Sequence, residues 1–453
     1  MIKSFVARNV YEPLYAEFYR RDNRVKLYRF YKRAQWKSLN ENRKIQAQRL
    51  YALIKYASEN VPYYKELVNK NSITFSEKTI FSDIKTFPVL TKEIIRKESK
   101  NLYKAIPGIK WYYNTSGGST GEPVKFIQDW SYQAHSAAVS RIQFEWAGYK
   151  LGDRQVILWG SEKDIFKQKE KFLHRFANWI KSNYWLNSFY MNDSRMHVFV
   201  NTINRKKPSI IYAYAQSAFE LAKFIKKNKL YVYSPKAVMT GASVLHPHFR
   251  ETIERVFGCR VYDKYGSREV GNVACECERH EGLHVSIFTH FIEILDKDLQ
   301  PCKEDQKGEI YITLLTNYTM PLIRYKIGDF ATFTRQKCSC GRGMPIIKNI
   351  VGRSVDLFIN DKNELVDGEY FTHLFYFKNY IKRFQLIQKS RDLLILNILL
   401  NTNNDAKLFK KDFPRIRKNI RLVMGKNCKV EYSIVKEIKA SKSGKFRYTI
   451  REC

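Results

Sequence analysis

The sequence lacks a long apolar run, a secretory leader and a dense set of cysteines. Its longest apolar stretch, Leu393–Leu400, is interrupted by Asn397, whereas a membrane-spanning helix needs about 20 apolar residues. The start, Met1–Arg8, is too broken by charge for a secretory signal. Eight cysteines in 453 residues do not make a disulfide scaffold. We therefore expect a cytoplasmic globular protein with a substantial core.

Acidic residues are also scarce: 44 Asp and Glu stand against 80 Lys and Arg, a formal net charge of +36. Such a balance attracts anionic partners. Three interpretations stay open, namely a solvated basic surface, loose association with an anionic membrane face, and nucleic-acid binding. The basic clusters, Arg205–Lys207 and Lys226–Lys227, are short. This dispersion favours the solvated surface, and we expect no specific nucleic-acid partner.

The pattern of apolar residues changes along the chain. Residues 1–105 are predicted to be mainly helical, because segments such as Glu41–Tyr56 lack Gly and Pro and carry apolar residues near helical spacing. From Trp111 onward, short apolar runs such as Gln155–Trp159 alternate with helical patterns such as Ser217–Lys227. That alternation predicts an α/β fold, and near period-two alternation over 308–333 predicts a β-rich subdomain.

A smaller unit is predicted after Gly352. Its pattern indicates strands near Arg383–Gln388, Leu393–Leu400 and Lys429–Ile434, and a helix near Asp405–Ile420. The sequence thus predicts a large N-terminal domain at 1–353 and a small, mobile α+β domain at 354–453.

One segment, Asn114–Pro123, combines glycines with Ser and Thr hydroxyls. Glycine lets backbone N–H groups turn toward an anion, and the hydroxyls add donors for phosphate oxygens. A flexible turn between strands is the alternative interpretation. No Lys directly follows Gly121, so the segment is not the P-loop of kinase-type and motor-type NTPases.

Four later segments follow this loop in a fixed order: Tyr262–Glu269, Tyr318–Asp329, Val351–Asp356 and Lys442–Phe446. With the loop, the series resembles the adenylate-forming superfamily of acyl-CoA synthetases, luciferases and peptide-synthetase adenylation domains. It is most similar to the phenylacetate–CoA ligase family, in the branch associated with capsular polysaccharide biosynthesis. The resemblance covers nearly the whole chain and includes Phe87–Lys92.

The resemblance implies a site for ATP. Tyr265 matches the aromatic residue that stacks on adenine, and Asp329 matches the carboxylate that accepts the ribose hydroxyls. Glu269 matches the Mg²⁺ ligand. The other predicted nucleotide-binding residues are Thr115, Ser116, Gly117, Gly118, Ser119, Thr120, Gly121, Gly241, Ala242, Gly266, Ser267 and Arg353, together with Lys125, which would add a positive charge just beyond the loop.

The resemblance also implies three catalytic residues, Lys445, Glu269 and Arg353. Lys445 matches the lysine that approaches the α-phosphate and the attacking carboxylate, where a cation offsets developing negative charge. Arg353 matches a contact to ribose or phosphate. The implied hinge is Asp356, although Val355 stands where many relatives have a second acid, and Arg268 replaces a common Thr or Ser.

Cysteine and histidine cluster in two places, Cys275–His284 and Cys338–Cys340. Thiolates plus imidazole favour tetrahedral Zn²⁺. Relatives in the family carry a similar constellation, which implies Cys277, His284, Cys338 and Cys340 as ligands of a structural zinc, with Cys275 or His280 as substitutes. Ordinary thiols in a reducing compartment are the alternative.

The sequence and the resemblance together predict an AMP-forming ligase that uses ATP and Mg²⁺ to convert a carboxylic acid into an acyl-adenylate. The acyl group would pass to CoA, an amine or a sugar, in polysaccharide or envelope biosynthesis. The alternative is a catalytically silent nucleotide-binding or scaffold protein in a polysaccharide assembly complex. The predicted location is cytoplasmic, with association at the inner membrane face as an option.

Overall fold

The computed structural model describes residues 2–116, 124–159, 172–188, 191, 193–353, 357–363, 365–368, 371, 374–375, 378, 380–438 and 447–453. The chain forms two compact units, Met1–Val351 and Gly352–Cys453.

The N-terminal third of the first unit is helical. The helix Leu39–Asn60 begins with a capping box, in which Ser38 and Glu41 each bind the other's backbone N–H. It contributes Leu50, Leu53 and Ile54 to the main core. The helical stretches before residue 105 are Ile2–Val6, Ala7–Tyr11, Glu12–Leu14, Tyr15–Arg20, Arg24–Ala34, Leu39–Asn60, Pro62–Lys70, Ile80–Asp83, Ile84–Thr86 and Lys92–Lys97.

Thirteen described strands follow, eleven of them in one sheet of order β10-β11-β12-β13-β9-β8-β7-β6-β5-β3-β4. Strands β4, β3, β5, β6 and β7 are parallel, and β8 joins β7 antiparallel. The bounds are β1 Trp111–Thr115, β2 Lys125–Asp129, β3 Gln155–Trp159, β4 Asn183–Asn187, β5 Ile210–Tyr214, β6 Ala237–Gly241, β7 Arg260–Ser267, β8 Gly271–Glu276, β9 Leu283–Val285, β10 His290–Leu295, β11 Lys307–Leu314, β12 Tyr325–Thr334 and β13 Ile346–Arg353.

Helices connect the parallel strands, because two parallel neighbours need a crossover connection. The helix Trp130–Trp146 starts at Asp129, whose carboxylate accepts the Tyr132 N–H at 2.7 Å. The other helices of this region are Phe172–Ile180, Asp193–Lys206, Ala215–Lys227 and Pro247–Phe257.

A buried arginine joins two of the sequence motifs. The guanidinium of Arg324 donates to both oxygens of Glu293 at 3.0 Å and to the Phe87 carbonyl at 2.8 Å. Leu90 then forms a parallel bridge with Tyr325. The Phe87–Lys92 motif therefore docks on the start of β12, the strand that carries Asp329.

The second unit is a four-stranded sheet of order β18-β17-β16-β19 with one long helix, beside a β14–β15 ribbon. The helix Ala406–Met424 packs Phe409, Phe413 and Ile420 into the unit's core. The strands are β14 Leu357–Ile359, β15 Leu365–Asp367, β16 Ile381–Ser390, β17 Leu393–Leu400, β18 Lys429–Ile434 and β19 Thr449–Arg451.

The predicted fold class is confirmed: a mixed α/β chain with a helical N-terminus, a large sheet and a C-terminal α+β unit. The predicted strand Gln155–Trp159 has the bounds of β3. The predicted helices Glu41–Tyr56 and Ser217–Lys227 lie inside longer ones, because capping and tertiary packing extend helices beyond their apolar pattern.

Candidate active site

The carboxyl ends of the parallel strands bring several predicted residues together. Tyr214, Gly241 and Lys264 lie side by side as register partners at the ends of β5, β6 and β7. Ligands of open α/β sheets bind outside this edge. A Cβ on Gly241 would lie 3.2 Å from the Lys264 carbonyl, and Ala242 turns the chain with a φ of 63°. At Gly241 the backbones of β6 and β7 therefore lie close together, and no side chain of residue 241 covers the edge of the sheet.

Tyr265 and Asp329 meet beside this edge. The Tyr265 hydroxyl donates to Asp329 Oδ2 at 2.8 Å, and both residues are buried. An ionised carboxylate accepts several hydrogen bonds, so Asp329 retains acceptor capacity. The pair fixes a flat ring next to an acceptor-only group, which is an arrangement suited to a nucleoside.

Glu269 lies in the tight hairpin between β7 and β8. The hairpin needs glycine at Gly266, because a Cβ there would lie 2.1 Å from the Gly271 carbonyl oxygen. Glu269 is buried, and among the described residues its carboxylate forms no ion pair. A buried carboxylate without a cationic partner is costly. Its hard oxygen donors therefore fit a divalent cation such as Mg²⁺.

Gln128 joins this hairpin to the strand pair that carries the glycine-rich segment. Its amide nitrogen donates to the carbonyls of Arg268 at 2.8 Å and Glu269 at 3.2 Å. Its amide oxygen accepts from Tyr112 and Asn114 on the neighbouring strand. The β1–β2 ladder is thus fixed against Glu269. Nothing in the sequence marked Gln128, since a polar residue in a strand is usually solvent-facing.

The ends of the glycine-rich segment close on each other. The Ser116 N–H donates to the Val124 carbonyl at 2.9 Å, and the Ser116 hydroxyl accepts the Val124 N–H at 2.8 Å. Thr115 pairs with the exposed Lys125. Buried Ser116 therefore fastens the base of the predicted phosphate loop. We name Gly241, Tyr265, Glu269 and Asp329 the nucleotide corner.

Several predicted residues are not placed. Gly117, Gly118, Ser119, Thr120 and Gly121 lie outside the described residues, as do Asp356 and Lys445. Arg353 ends β13, and its side chain is not described. Their roles stay predictions.

Lys264 is a functional candidate that the sequence did not single out. It is buried, and its Nζ donates to Ser140 Oγ at 3.2 Å. Burial lowers the pKa of Lys264 to about 8. A lysine between Asp263 and Tyr265 gives no sign of this burial, because lysines are usually exposed.

The cysteine and histidine residues form a second site in the same unit. The ligand atoms of Cys277, His284, Cys338 and Cys340 all lie within 4.8 Å of one another. Cys277 Sγ is 3.6 Å from Cys338 Sγ, and Cys340 Sγ is 3.3 Å from His284 Nε2. Two thiolates on one tetrahedral zinc lie about 3.8 Å apart. These four residues, the thiol cluster, therefore have the spacing of a closed zinc site.

Arg342 packs behind the thiol cluster and influences His284, one of its four members. Arg342 lies over the rings of Trp36 and Trp146 and donates to Glu278 at 2.9 Å. Burial, and to a lesser degree Arg342, lowers the pKa of His284 to about 4. The imidazole is thus neutral, the form that binds metal.

The two proposed substitute ligands lie outside this group. His280 pairs with Glu276 at 3.2 Å, and Cys275 is buried without joining the four ligand atoms. The geometry of the described residues thus favours Cys277 over Cys275. The thiol cluster fastens the end of β8 and β9 to the 338–343 segment.

Among the described residues, no helix has the length and apolar character needed to cross a bilayer.

Comparison with known proteins gives three kinds of match. Residues 358–452 match the family model for the CapK C-terminal domain. Protein CapK of Staphylococcus aureus is 24% identical over 417 residues, 91% of this chain and 89% of that protein. A phenylacetate–coenzyme A ligase of Thermus thermophilus is 26% identical over 330 residues, 70% of this chain and 71% of the ligase.

The fold has solved counterparts. A 2-hydroxyisobutyryl-CoA ligase, crystallised in its postadenylation state with an acyl-AMP, superposes with a TM-score of 0.73 at 20% identity, over 93% of this chain and 92% of that one. The chain is thus similar in sequence to CapK and to the phenylacetate–coenzyme A ligases, and it shares the fold of a solved acyl-CoA ligase.

Proposed function

We propose that this AMP-forming ligase activates a carboxylic acid with ATP and passes the acyl group to an acceptor. The observation that carries the proposal is the Tyr265–Asp329 hydrogen bond of 2.8 Å beside buried Glu269, at the carboxyl edge of the parallel strands. Gln128 fixes the predicted phosphate loop's strands to the same corner. The carboxylates of the corner are thereby held close to the strands that carry the predicted phosphate loop.

The first half-reaction is a displacement at phosphorus. A carboxylate oxygen of the acid attacks the α-phosphorus of ATP, the bond to the β-phosphate oxygen breaks, and pyrophosphate leaves. Asp329 would orient the ribose, and Glu269 would hold Mg²⁺, which neutralises phosphate charge when bound. Lys445 and Arg353 would supply fixed positive charge to the same phosphates.

The second half-reaction transfers the acyl group. A thiol, amine or hydroxyl attacks the acyl carbonyl carbon, the bond to the AMP oxygen breaks, and AMP leaves. The name of the relative phenylacetate–coenzyme A ligase indicates that coenzyme A is its acceptor. We further propose a role in polysaccharide or envelope biosynthesis, as the resemblance to the capsular-polysaccharide branch implies, where an amine or sugar acceptor is the alternative to CoA; the similarity to CapK over 91% of this chain is consistent with that branch.

We also propose that the thiol cluster holds a structural Zn²⁺. All four ligands would come from the protein, and a closed coordination shell leaves no position for substrate. The ion would hold β8 and β9 in place behind the nucleotide corner and would take no part in catalysis.

The test is pyrophosphate release over a panel of carboxylic acids, first without acceptor and then with CoA, amino acids or sugar nucleotides. We expect acid-dependent release by the native chain and its loss in Lys445→Ala. The matched control is Lys436→Ala, an exposed lysine of the same unit. ATP binding without release for any acid would favour the silent nucleotide-binding alternative, and unchanged release in Lys445→Ala would refute the assignment of Lys445.

A further inference from the structure

Lys264 is a buried lysine that lies beside aromatic rings of β5 and of the helix Trp130–Trp146. Among the described residues, its Nζ donates to the Ser140 hydroxyl at 3.2 Å and lies 5.0 and 5.5 Å from the ring centres of Phe144 and Tyr212, and Cys275 is its register partner on β8. It forms no ion pair with any described carboxylate. A hydroxyl and two ring faces replace the hydration of an ammonium only in part.

Its position relates it to the nucleotide corner. Successive side chains of a strand point to opposite faces, so Lys264 points away from the face on which Tyr265 meets Asp329. On that opposite face, the ring centres of Trp159 lie 4.9 Å from Tyr212 and 4.0 Å from Tyr214. Trp159, Tyr212 and Tyr214 thus form an aromatic wall beside Lys264, and Lys264 directly precedes Tyr265 of the nucleotide corner.

We propose that Lys264 binds a second anionic group of the acid to be activated. The acid would carry one carboxylate for adenylation, an apolar or ring body against Phe144 and Tyr212, and a distal carboxylate or equivalent anion on the Lys264 ammonium. This inference rests on the proposed ligase function and specifies its substrate class. Lys264 forms no ion pair with a described carboxylate. The second anionic group of a diacid would therefore form an ion pair with Lys264 in a desolvated site, whereas a monoanionic acid has no group to form it.

The test compares dicarboxylic acids with their monoesters in pyrophosphate release by the native chain, Lys264→Met and Lys326→Met. Lys326 is a half-exposed lysine of the same sheet and serves as the control. We expect Lys264→Met to lower kcat/KM for diacids at least about tenfold more than for monoesters, mainly through KM. Equal losses for both kinds of acid would refute the assignment.

Calorimetric binding of the same diacids separates this inference from the ligase proposal. Binding to the native chain but not to Lys264→Met, without pyrophosphate release, would uphold the anion site and refute the ligase activity. Release with monoesters alone, together with equal diacid binding by both chains, would uphold the ligase and refute the anion site. The absence of both diacid binding and release would refute both.

A separate observation concerns the first helical segment, Ile2–Arg20. Its apolar residues Phe5, Val10, Leu14 and Phe18, the outer stripe, are 45–69% exposed. Ala7, Glu12 and Ala16 face the protein instead. Beside the segment, Trp179 is 62% exposed, with Lys3 Nζ 4.3 Å above its ring. A solvent-facing apolar stripe of this length marks an interaction surface.

We infer that the outer stripe docks on an anionic bilayer surface. Interfacial helices place Phe, Leu and Trp in the acyl boundary and basic residues among the headgroups. Lys3, Arg8 and Arg21 are close to the stripe in sequence, and the chain has a formal net charge of +36. That charge complements an anionic leaflet and opposes association of two copies of the chain.

Vesicle co-sedimentation tests the stripe, with phosphatidylcholine vesicles against vesicles containing phosphatidylglycerol. We expect salt-sensitive binding to the anionic vesicles and a loss of at least about tenfold in Phe5→Ser/Phe18→Ser. Tyr231→Ser, a highly exposed aromatic residue far along the chain, is the control. Absent native binding, equal binding by the double variant, or a lipid-free dimer that the double variant abolishes would each refute the membrane assignment.

Discussion

The nucleotide corner and the thiol cluster share the β7–β8 hairpin as support but differ in what completes them. The corner contains the buried carboxylates of Glu269 and Asp329, which we propose as acceptors for bound molecules, and hydrogen bonds from Gln128 and Tyr265 hold it. In the thiol cluster, by contrast, four protein ligand atoms lie within 4.8 Å of one another. The comparison shows how one hairpin can support both a predicted site for an exchangeable nucleotide and a predicted closed site for a structural metal ion.

The largest effect on activity is expected at the nucleotide corner. Asp329→Asn should lower kcat/KM for ATP by at least about 100-fold, roughly 2.7 kcal/mol, because the amide cannot accept ribose hydroxyls as an ionised carboxylate does. The melting temperature should change little. Pyrophosphate release and differential scanning fluorimetry measure the two effects. Asp298→Asn, on an exposed turn, is the control, and a variant of native activity would contradict the role of Asp329.

At the thiol cluster, we expect a substitution to reduce thermal stability more than activity. Cys338→Ser should remove the proposed zinc, lower the melting temperature by several degrees and leave ligase activity comparatively high at low temperature, because a closed four-ligand site is structural. Metal analysis by mass spectrometry and thermal unfolding measure this. Cys275→Ser and Cys302→Ser are matched buried controls that should keep the metal. Zinc retained by Cys338→Ser but lost from Cys275→Ser would reverse the ligand assignment.

The shared hairpin can be perturbed directly. Gly266→Ala places a Cβ 2.1 Å from the Gly271 carbonyl oxygen, so the hairpin must deform, at a cost of about 2–3 kcal/mol. Activity and stability should fall together, as measured by urea unfolding and pyrophosphate release. Gly108→Ala, where a Cβ would meet nothing within 4 Å but the backbone is left-handed with a φ of 78°, should cost only about 1 kcal/mol. Equal costs would show that the hairpin relaxes freely.

The smallest effect at neutral pH concerns His290, which supports the corner but not the cluster. Its Nε2 lies 2.7 Å from the Val270 carbonyl, and burial lowers the pKa of His290 to about 4. Between about pH 6.5 and 4 the unfolded chain binds a proton that the folded chain excludes, so stability falls as pH falls through this window. His290→Gln should flatten that part of the unfolding profile, measured in urea at several pH values. An unchanged slope would place the acid sensitivity elsewhere.

The sequence alone supported the fold class and most elements named from apolar spacing. Alternating residues over 308–333 became β11 and β12, and the patterns near Leu393–Leu400 and Lys429–Ile434 became β17 and β18. Local spacing suffices there because the period of the apolar face follows from backbone geometry.

Contacts across long sequence distances could not be read from spacing. The Gln128 bridge to Glu269 spans 141 residues, and the clamp of Arg324 on Phe87 spans 237. The burial of Lys264 depends on Ser140 and Phe144, which stand 124 and 120 residues earlier in the chain. Such contacts require every intervening strand to be in place.

What the sequence by itself determined is the list of chemical groups: hydroxyls and glycines for phosphate, carboxylates for ribose and a cation, and thiols with imidazole for zinc. Only the tertiary structure decided which groups meet, with Cys277 rather than Cys275 among the four ligand atoms, Asp329 on Tyr265, and Lys264 in an aromatic wall. The reason is physical, because side-chain chemistry is local whereas distance between side chains depends on strand order and register.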